Sequence, residues 1–375
     1  MGIDAYDVAV IGAGPAGSAA AIAARRAGAR VLLLDRADFP RDKTCGDGIA
    51  AEAVDVLTGL GVADATSGFA PIGRLRLVAP GGTAAARELP RPAYTVPRRI
   101  FDERLVRAAV AAGAVLRRHT VRQLEERDTV VIDGTFRAHV VIGADGAGSV
   151  VRRSIGAAVN PAGHLAIAIR GYRPTGNTGE QVVVTTRQRW PAYAWEFPLG
   201  DGTANVGYGE LLRGTALSRS YLLGRLAELL PGGELAAVRG HHLPLSTHRP
   251  APGRGRVLLA GDALSLINPC TGEGIFYAVL SGALAGAEAA RGPHEVARRY
   301  RDALRRRLGR HLRHSAAAAR LTTWPRVADA AVAAAAADAG VFARMVELGL
   351  ADGLLDARTI GRIAARLAPW RTVPA

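Results

Sequence analysis

Apolar positions follow two different periods along this chain, and the changes between them mark out its architecture. Val8-Ala9-Val10-Ile11 and Val31-Leu32-Leu33-Leu34 are unbroken apolar runs, separated by an alanine-rich stretch of helical character. Continuous runs of this length predict strands buried on both faces, of the kind crossed over by helices. The same style returns at Val130-Val131-Ile132, Val140-Val141-Ile142 and Arg256-Val257-Leu258-Leu259-Ala260, and Phe101 to Ala114 reads as a helix. Other stretches alternate. Arg74-Leu75-Arg76-Leu77-Val78, closed by Pro80-Gly81-Gly82, reads as a strand, and residues 160 to 245 alternate in strand fashion, as in His164 to Tyr172 and Val182-Val183-Val184. From Pro293 onward the pattern is helical, with a low-complexity alanine patch from Ala330 to Ala339. The expectation is an α/β fold: a discontinuous Rossmann-like nucleotide-binding domain (1–75, 99–160 and 246–292), an inserted sheet-rich substrate-binding domain (76–98 and 161–245) and a C-terminal helical region (293–375).

The turn after the first apolar run is Gly12-Ala13-Gly14-Pro15-Ala16-Gly17, a G-x-G-x-x-G placed between strand and helix. Gly12 allows the tight turn, Gly14 lets the backbone come against phosphates, Gly17 lets the helix pack on the strand, and the helix start offers N–H donors to a pyrophosphate. Asp35 closes the second run, where an acid accepts from a ribose 2′-OH. These features predict a bound dinucleotide. Two later signatures make it FAD rather than NAD: Gly143-Ala144-Asp145-Gly146-Ala147-Gly148-Ser149-Val150-Val151-Arg152, and Leu258-Leu259-Ala260-Gly261-Asp262-Ala263 followed by Asn268-Pro269-Cys270-Thr271-Gly272-Glu273-Gly274-Ile275. Taken singly, Asp145 and Asp262 are also what an ordinary strand-end turn would carry; their order and spacing behind the first motif carry the reading.

Together the three motifs resemble the fingerprints of the flavoproteins related to p-hydroxybenzoate hydroxylase. The resemblance implies that Asp262 bonds the ribityl chain and that the helix start at Gly272 and Gly274 lies under the flavin pyrimidine. The physical reason is that reduced flavin is anionic at N1–C2=O, and a helix N-terminus stabilises that charge. Further motifs are similar to one branch, the geranylgeranyl reductases: Pro40-Arg41-Asp42-Lys43-Thr44-Cys45-Gly46-Asp47-Gly48 to its P-R-x-K-x-C-G-x-G element, Tyr193-Ala194-Trp195-Glu196-Phe197-Pro198 to its Y-x-W-x-F-P cavity motif, and Val96-Pro97-Arg98-Arg99-Ile100-Phe101-Asp102 to its V-x-R-x-x-F-D element. The cofactor set so implied is Gly12, Gly14, Ala16, Gly17, Asp35, Arg36, Cys45, Gly46, Asp47, Gly48, Arg98, Val121, Asp145, Gly261, Asp262, Pro269, Gly272, Gly274 and Ile275. The substrate set is Tyr193, Trp195, Phe197 and Cys270. The resemblance spans about residues 6 to 290, and departs from the family at Ala192, Ala194, Glu196 and Cys270, all in the substrate region.

Several roles stay open at this level. Trp195 and Phe197 read either as cavity lining or as core aromatics on a strand. Cys45 reads as a small residue in a tight turn or as a thiol that holds flavin or substrate or donates a proton. Glu196 is a solvent-facing strand residue or a cavity acid raised by apolar neighbours. Cys45 and Cys270, the only cysteines, are both expected near the isoalloxazine; neither belongs to a C-x-x-C pair, and two cysteines suit a reducing compartment. His241, His242 and His248 lack partners at ligand spacing, so no metal is expected.

Net charge is +15, and Lys43 is the sole lysine. The run Arg298-Arg299, Arg301, Arg305-Arg306-Arg307, Arg310, Arg313 reads as surrounding a helix rather than forming one stripe: a solvated helix, or one drawn to an anionic membrane surface. No nucleic-acid module accompanies the charge. No long uncharged apolar span and no leader is seen, which predicts a cytoplasmic protein. The activity implied is FAD-dependent reduction of carbon–carbon double bonds in an isoprenoid or related hydrophobic metabolite. The alternative is a monooxygenase, hydroxylase or epoxidase, acting through a flavin C4a-hydroperoxide on an aromatic or prenylated substrate. No second dinucleotide fold is seen, so electrons would come from transiently bound NAD(P)H or a reduced electron-transfer protein.

Overall fold

The computed structural model describes residues 5–177, 179–214 and 216–367. Two eight-stranded sheets organise it, with strands numbered along the chain. The first runs β15 (Gly253–Arg254), β16 (Val257–Leu259), β9 (Phe136–Gly143), β1 (Tyr6–Ile11), β2 (Val31–Asp35), β6 (Val115–Arg118), and β9 also pairs with β8 (Val130–Ile132) of the hairpin it forms with β7 (Leu124–Glu126). The pairs of β1 with β2 and β9 are parallel, and every residue of β2 and the last four of β1 are buried, which is why these runs carry no polar alternation.

Helix α1 (Pro15–Arg26) leaves β1 and crosses α6 (Ile275–Ala290) at very short range. A Cβ on Gly282 would stand 2.0 Å from the Ala16 carbonyl oxygen, and one on Gly286 2.1 Å from that of Ala20. Two glycines one turn apart therefore let the backbones touch, and bring the start of α6 beside the start of α1.

The second sheet runs β14 (Ala236–Pro244), β10 (Leu165–Pro174), β13 (Thr203–Leu211), β12 (Ala192–Pro198), β11 (Glu180–Thr185), β4 (Ile72–Val78), β5 (Ala84–Thr95), β3 (Gly48–Ile49). Helices α3 (Arg98–Ala111) and α4 (Val150–Ser154) connect strands of different sheets, and α2 (Ala51–Gly59) links β3 to β4 within the second. The structure departs from the sequence expectation in three places. β3 and the first residues of β4 lie in this sheet although they precede residue 76. The stretch read as all strand contains α5 (Arg219–Leu229), whose Leu222 and Leu226 pack on Ile169 and Tyr208. The C-terminal helices α7 (Val296–Leu321), α8 (Pro325–Ala337), α9 (Ala339–Leu350) and α10 (Ala357–Ala364) do not stand apart: Ala334, Ala335, Val341 and Phe342 form one core with Leu75, Ala85 and Leu89 of the sheet. The alanine patch is small-residue packing against β5, ended at Asp338, which caps α9.

Candidate functional site

The three glycines of the first turn answer to different neighbours. Gly12 has φ +96°, and a Cβ there would lie 2.4 Å from the Ala144 carbonyl oxygen; one on Gly17 would lie 1.7 Å from the Gly12 oxygen. Both are required by protein packing alone. Gly14 is not: the first atoms its Cβ would meet are Arg41 Nη2 at 3.6 Å and Arg98 Nη2 at 3.9 Å. A gap thus separates this backbone from two guanidiniums. Arg98, the first residue of α3, donates from Nε and Nη2 to Asp102 Oδ1 and Oδ2 at 2.6 and 2.8 Å, and Asp102 is fully buried. Burial opposes the Arg98 charge, but Asp102 more than offsets it and raises the pKa. Arg41 Nη1 stands 3.0 Å from Asp102 Oδ2 yet is too misaligned to hydrogen bond, leaving a buried donor without a partner. Two cations share one anion here, at the positive end of α1. The donor set fits a pyrophosphate.

Asp35 holds this turn to β2: its Oδ2 accepts from Ala13 N at 2.8 Å and its Oδ1 from Ala37 N at 2.9 Å. Arg36 beside it is exposed, and Val121 is buried just past β6, the strand paired with β2. Ala16 belongs to the α1–α6 crossing.

Asp145 is what an ordinary turn acid would be. Its carboxylate accepts from Ser149 Oγ and from Val150 N and Val151 N, so it closes the start of α4. Asp262 is different. It sits on the 3₁₀ turn Gly261–Leu264 with Oδ2 3.7 Å from Lys43 Nζ, whose pKa burial lowers against the pull of Asp262. Near both, on β14, is His241, with Nε2 buried and unpartnered; burial pushes its pKa down to about 4, so the ring is neutral. Sequence reasoning missed His241 by treating the histidines only as metal ligands. The one available signal was strand alternation, which turns His241 inward and leaves His242 exposed.

The loop Cys45-Gly46-Asp47-Gly48 is sewn into the second sheet. Asp47 takes φ +61° and is fully buried. Its Oδ2 accepts from Tyr172 OH and from Asn205 Nδ2 at 2.9 Å, and its Oδ1 from Arg98 N at 3.3 Å. Asn205 Nδ2 also donates to the Cys45 carbonyl at 2.9 Å, while Asn205 Oδ1 accepts from Trp195 Nε1 at 2.9 Å. Asp47, expected in the cofactor set, ties Arg98 and the Cys45 loop to β10 and β13. Gly46 and Gly48 lie against Trp195 and Phe197, whose rings a Cβ would approach to 3.2 and 3.3 Å. Tyr193, Trp195 and Phe197 form a row on one face of β12, with successive ring centroids 5.9 and 6.5 Å apart.

Glu196 points from the other face. It accepts from Arg173 Nη2 and Thr175 Oγ1, both at 2.8 Å, and these donors outweigh burial and hold its pKa below the ordinary value. It is therefore an ion-paired structural carboxylate, not a raised cavity acid. Cys270 is exposed, its sulfur turned to α7, 3.8 Å from the Ser315 oxygen; its loop reaches the aromatic row through Thr271, whose carbonyl accepts from Tyr193 OH. Cys270 thus does not itself join the row. Burial pushes the Cys45 thiol up, and pushes Glu273 up to about 7, with Glu273 Oε1 accepting from Phe276 N at 2.8 Å. Pro269, Gly272, Gly274 and Ile275 occupy this same loop and the first turn of α6.

Asp47 gives a pH test. Burial raises its pKa to about 6 from an ordinary 3.8, so between those values the native state binds the proton and the unfolded chain does not. Stability should then fall as pH rises from about 4 to about 6, by roughly 3 kcal/mol from this group. Asn tolerates a positive φ and keeps an acceptor, so Asp47→Asn is expected to fold and lose that decline. Urea unfolding of both proteins across this range checks it; parallel profiles would remove Asp47 as the source.

Residues 5–170 match the family model described as FAD binding domain. Menaquinone reductase of Mycobacterium tuberculosis is 33% identical over 351 residues, covering 86% of this chain and 85% of that one. Digeranylgeranylglycerophospholipid reductase 1 of Methanopyrus kandleri is 36% identical over 303 residues, covering 75% and 79%. Among solved structures, a geranylgeranyl bacteriochlorophyll reductase-like protein of Thermoplasma acidophilum is alike in fold, with TM-score 0.81 over 97% of both chains at 21% identity.

Proposed function

Since the chain belongs to the geranylgeranyl reductase family of FAD-dependent oxidoreductases, we propose that it reduces a carbon–carbon double bond in the polyprenyl chain of a hydrophobic metabolite. The observation that carries this reading is the row of Tyr193, Trp195 and Phe197 packed on the Cys45 loop, which Asp47 links to Arg98 at the nucleotide end. FAD, when bound, would supply the hydride, with NAD(P)H or a reduced electron-transfer protein as the source of its electrons.

The chain's own residues bind and orient. The Gly12–Gly17 turn, Arg41 and Arg98 would hold the pyrophosphate, Asp35 the adenosine ribose and Asp262 the ribityl chain, with the start of α6 facing the pyrimidine. An unactivated alkene presents no charge to grip, so alignment rests on apolar contact with the aromatic row and on keeping water out. The carbon opposite the hydride needs a proton, and among the site's groups Cys45 Sγ, the Glu273 carboxyl and Tyr193 OH hold one at neutral pH.

The relatives are named for menaquinone and for a digeranylgeranyl lipid, which share a polyprenyl chain. Photoreduced enzyme mixed anaerobically with such compounds is expected to reoxidise and yield a product two hydrogens heavier. Turnover that requires oxygen and places one oxygen-18 atom in the product would replace this reading with a monooxygenase.

A further inference from the structure

Helix α7 carries its arginines in two classes. Arg298 pairs with Glu295, Arg299 with Glu288 and Arg307 with Asp352. Among the described residues, Arg306, Arg310, Arg313 and Arg320 have no carboxylate within ion-pair distance, and all four are exposed. At 3.6 residues per turn they fall within an arc of about 80° along roughly 20 Å of helix. The arginines do surround the helix, as the sequence suggested: Arg301 and Arg305, also exposed and without an ion pair among the described residues, lie on another face, while these four form one stripe. The stripe ends in apolar residues: Leu321 is 61% and Trp324 71% exposed. This tip adjoins the site, because Trp190, just ahead of β12, donates from Nε1 to the Thr322 carbonyl, and Ser315 meets Cys270.

We propose that the α7–α8 tip docks on an anionic lipid bilayer, with Trp324 and Leu321 entering the interface and Arg306, Arg310, Arg313 and Arg320 lying along the headgroups. Its purpose rests on the reading of a polyprenyl substrate, which must be drawn from a membrane. Charge decides the occupant. Anionic headgroups complement the whole stripe, and an indole at the end of a cationic helix suits the membrane interface. A second copy packed about a two-fold axis would set the stripe against itself. Among the described residues no helix is long and apolar enough to cross a membrane, so contact of this kind is made from the surface.

The test is co-sedimentation of the FAD-loaded protein with vesicles of phosphatidylcholine alone or with phosphatidylglycerol. The parent is expected to favour the anionic vesicles by at least about tenfold, with the preference lost in high salt. Arg310→Glu with Arg313→Glu should cost about tenfold in binding, and Trp324→Ser should weaken it while leaving the salt dependence, each variant retaining its flavin absorbance and circular dichroism. Equal binding to both vesicles, or unchanged binding by the variants, would overturn the proposal. So would a dimer in analytical ultracentrifugation that Trp324→Ser dissolves, which would give the tip to a second copy. Sedimentation needs no turnover, so this result and that of the anaerobic assay stand or fall separately.

Discussion

Gly14→Ala is expected to leave the apoprotein as stable as its parent while lowering FAD affinity on the order of a hundredfold, about 2.7 kcal/mol; Gly17→Ala should not reach a stable fold at all. The two glycines lie three residues apart in one motif, yet their surroundings differ. At Gly17 an added methyl would overlap the Gly12 carbonyl at 1.7 Å and approach Val10 Cγ1 at 3.2 Å. A backbone oxygen cannot swing aside, so the start of α1 must shift, a cost of at least about 4 kcal/mol. At Gly14 the backbone is ordinary, φ −72°, and nothing of the protein stands closer than 3.6 Å. The methyl would instead fill the gap in front of Arg41 and Arg98 into which phosphates must come. Urea unfolding of the apoproteins and fluorescence titration with FAD separate the cases. Parental FAD affinity in Gly14→Ala would move the pyrophosphate elsewhere, and parental stability in Gly17→Ala would show that α1 can start differently.

Asp102→Ala should destabilise the apoprotein by about 3–5 kcal/mol and the FAD-loaded protein by clearly less. Asp102 has no exposed surface and serves Arg98 through two hydrogen bonds and Arg41 through an ion pair. Removing it strands two guanidiniums at the mouth of α1, and uncompensated buried charge is among the costliest defects a substitution makes. A bound pyrophosphate would return negative charge to the same place, which is why the two losses should differ. The measurement is urea unfolding with and without saturating FAD. Equal losses in the two forms would mean that the arginines serve the fold and not the cofactor.

The Arg98–Asp102 pair was half legible in advance. The two residues are four apart at the start of a helix, so the V-x-R-x-x-F-D element already places them side by side. Arg41, the third member, arrives from a loop more than fifty residues earlier, and no local pattern announces it. Glu196 shows the opposite case. Period-two alternation alone puts it on the face opposite Trp195, but its ionisation depended on Arg173 from β10 and Thr175 just past that strand. Asp145 and Asp262 look alike as strand-end acids. Only the fold shows that Ser149 and the first amides of α4 engage Asp145 while Lys43 faces Asp262.

The α/β order, the buried parallel strands, the phosphate-binding turn and the FAD motifs could be read before any coordinates. Each depends on backbone conformations and side-chain periods set by residues adjacent in the chain. The clamp at Asp47, the unpartnered His241 ring, the turning of Cys270 toward α7 and the sorting of the α7 arginines into paired and unpaired could not. Each depends on which distant carboxylate, amide or carbonyl comes within about 3 Å, and packing of whole elements sets that distance.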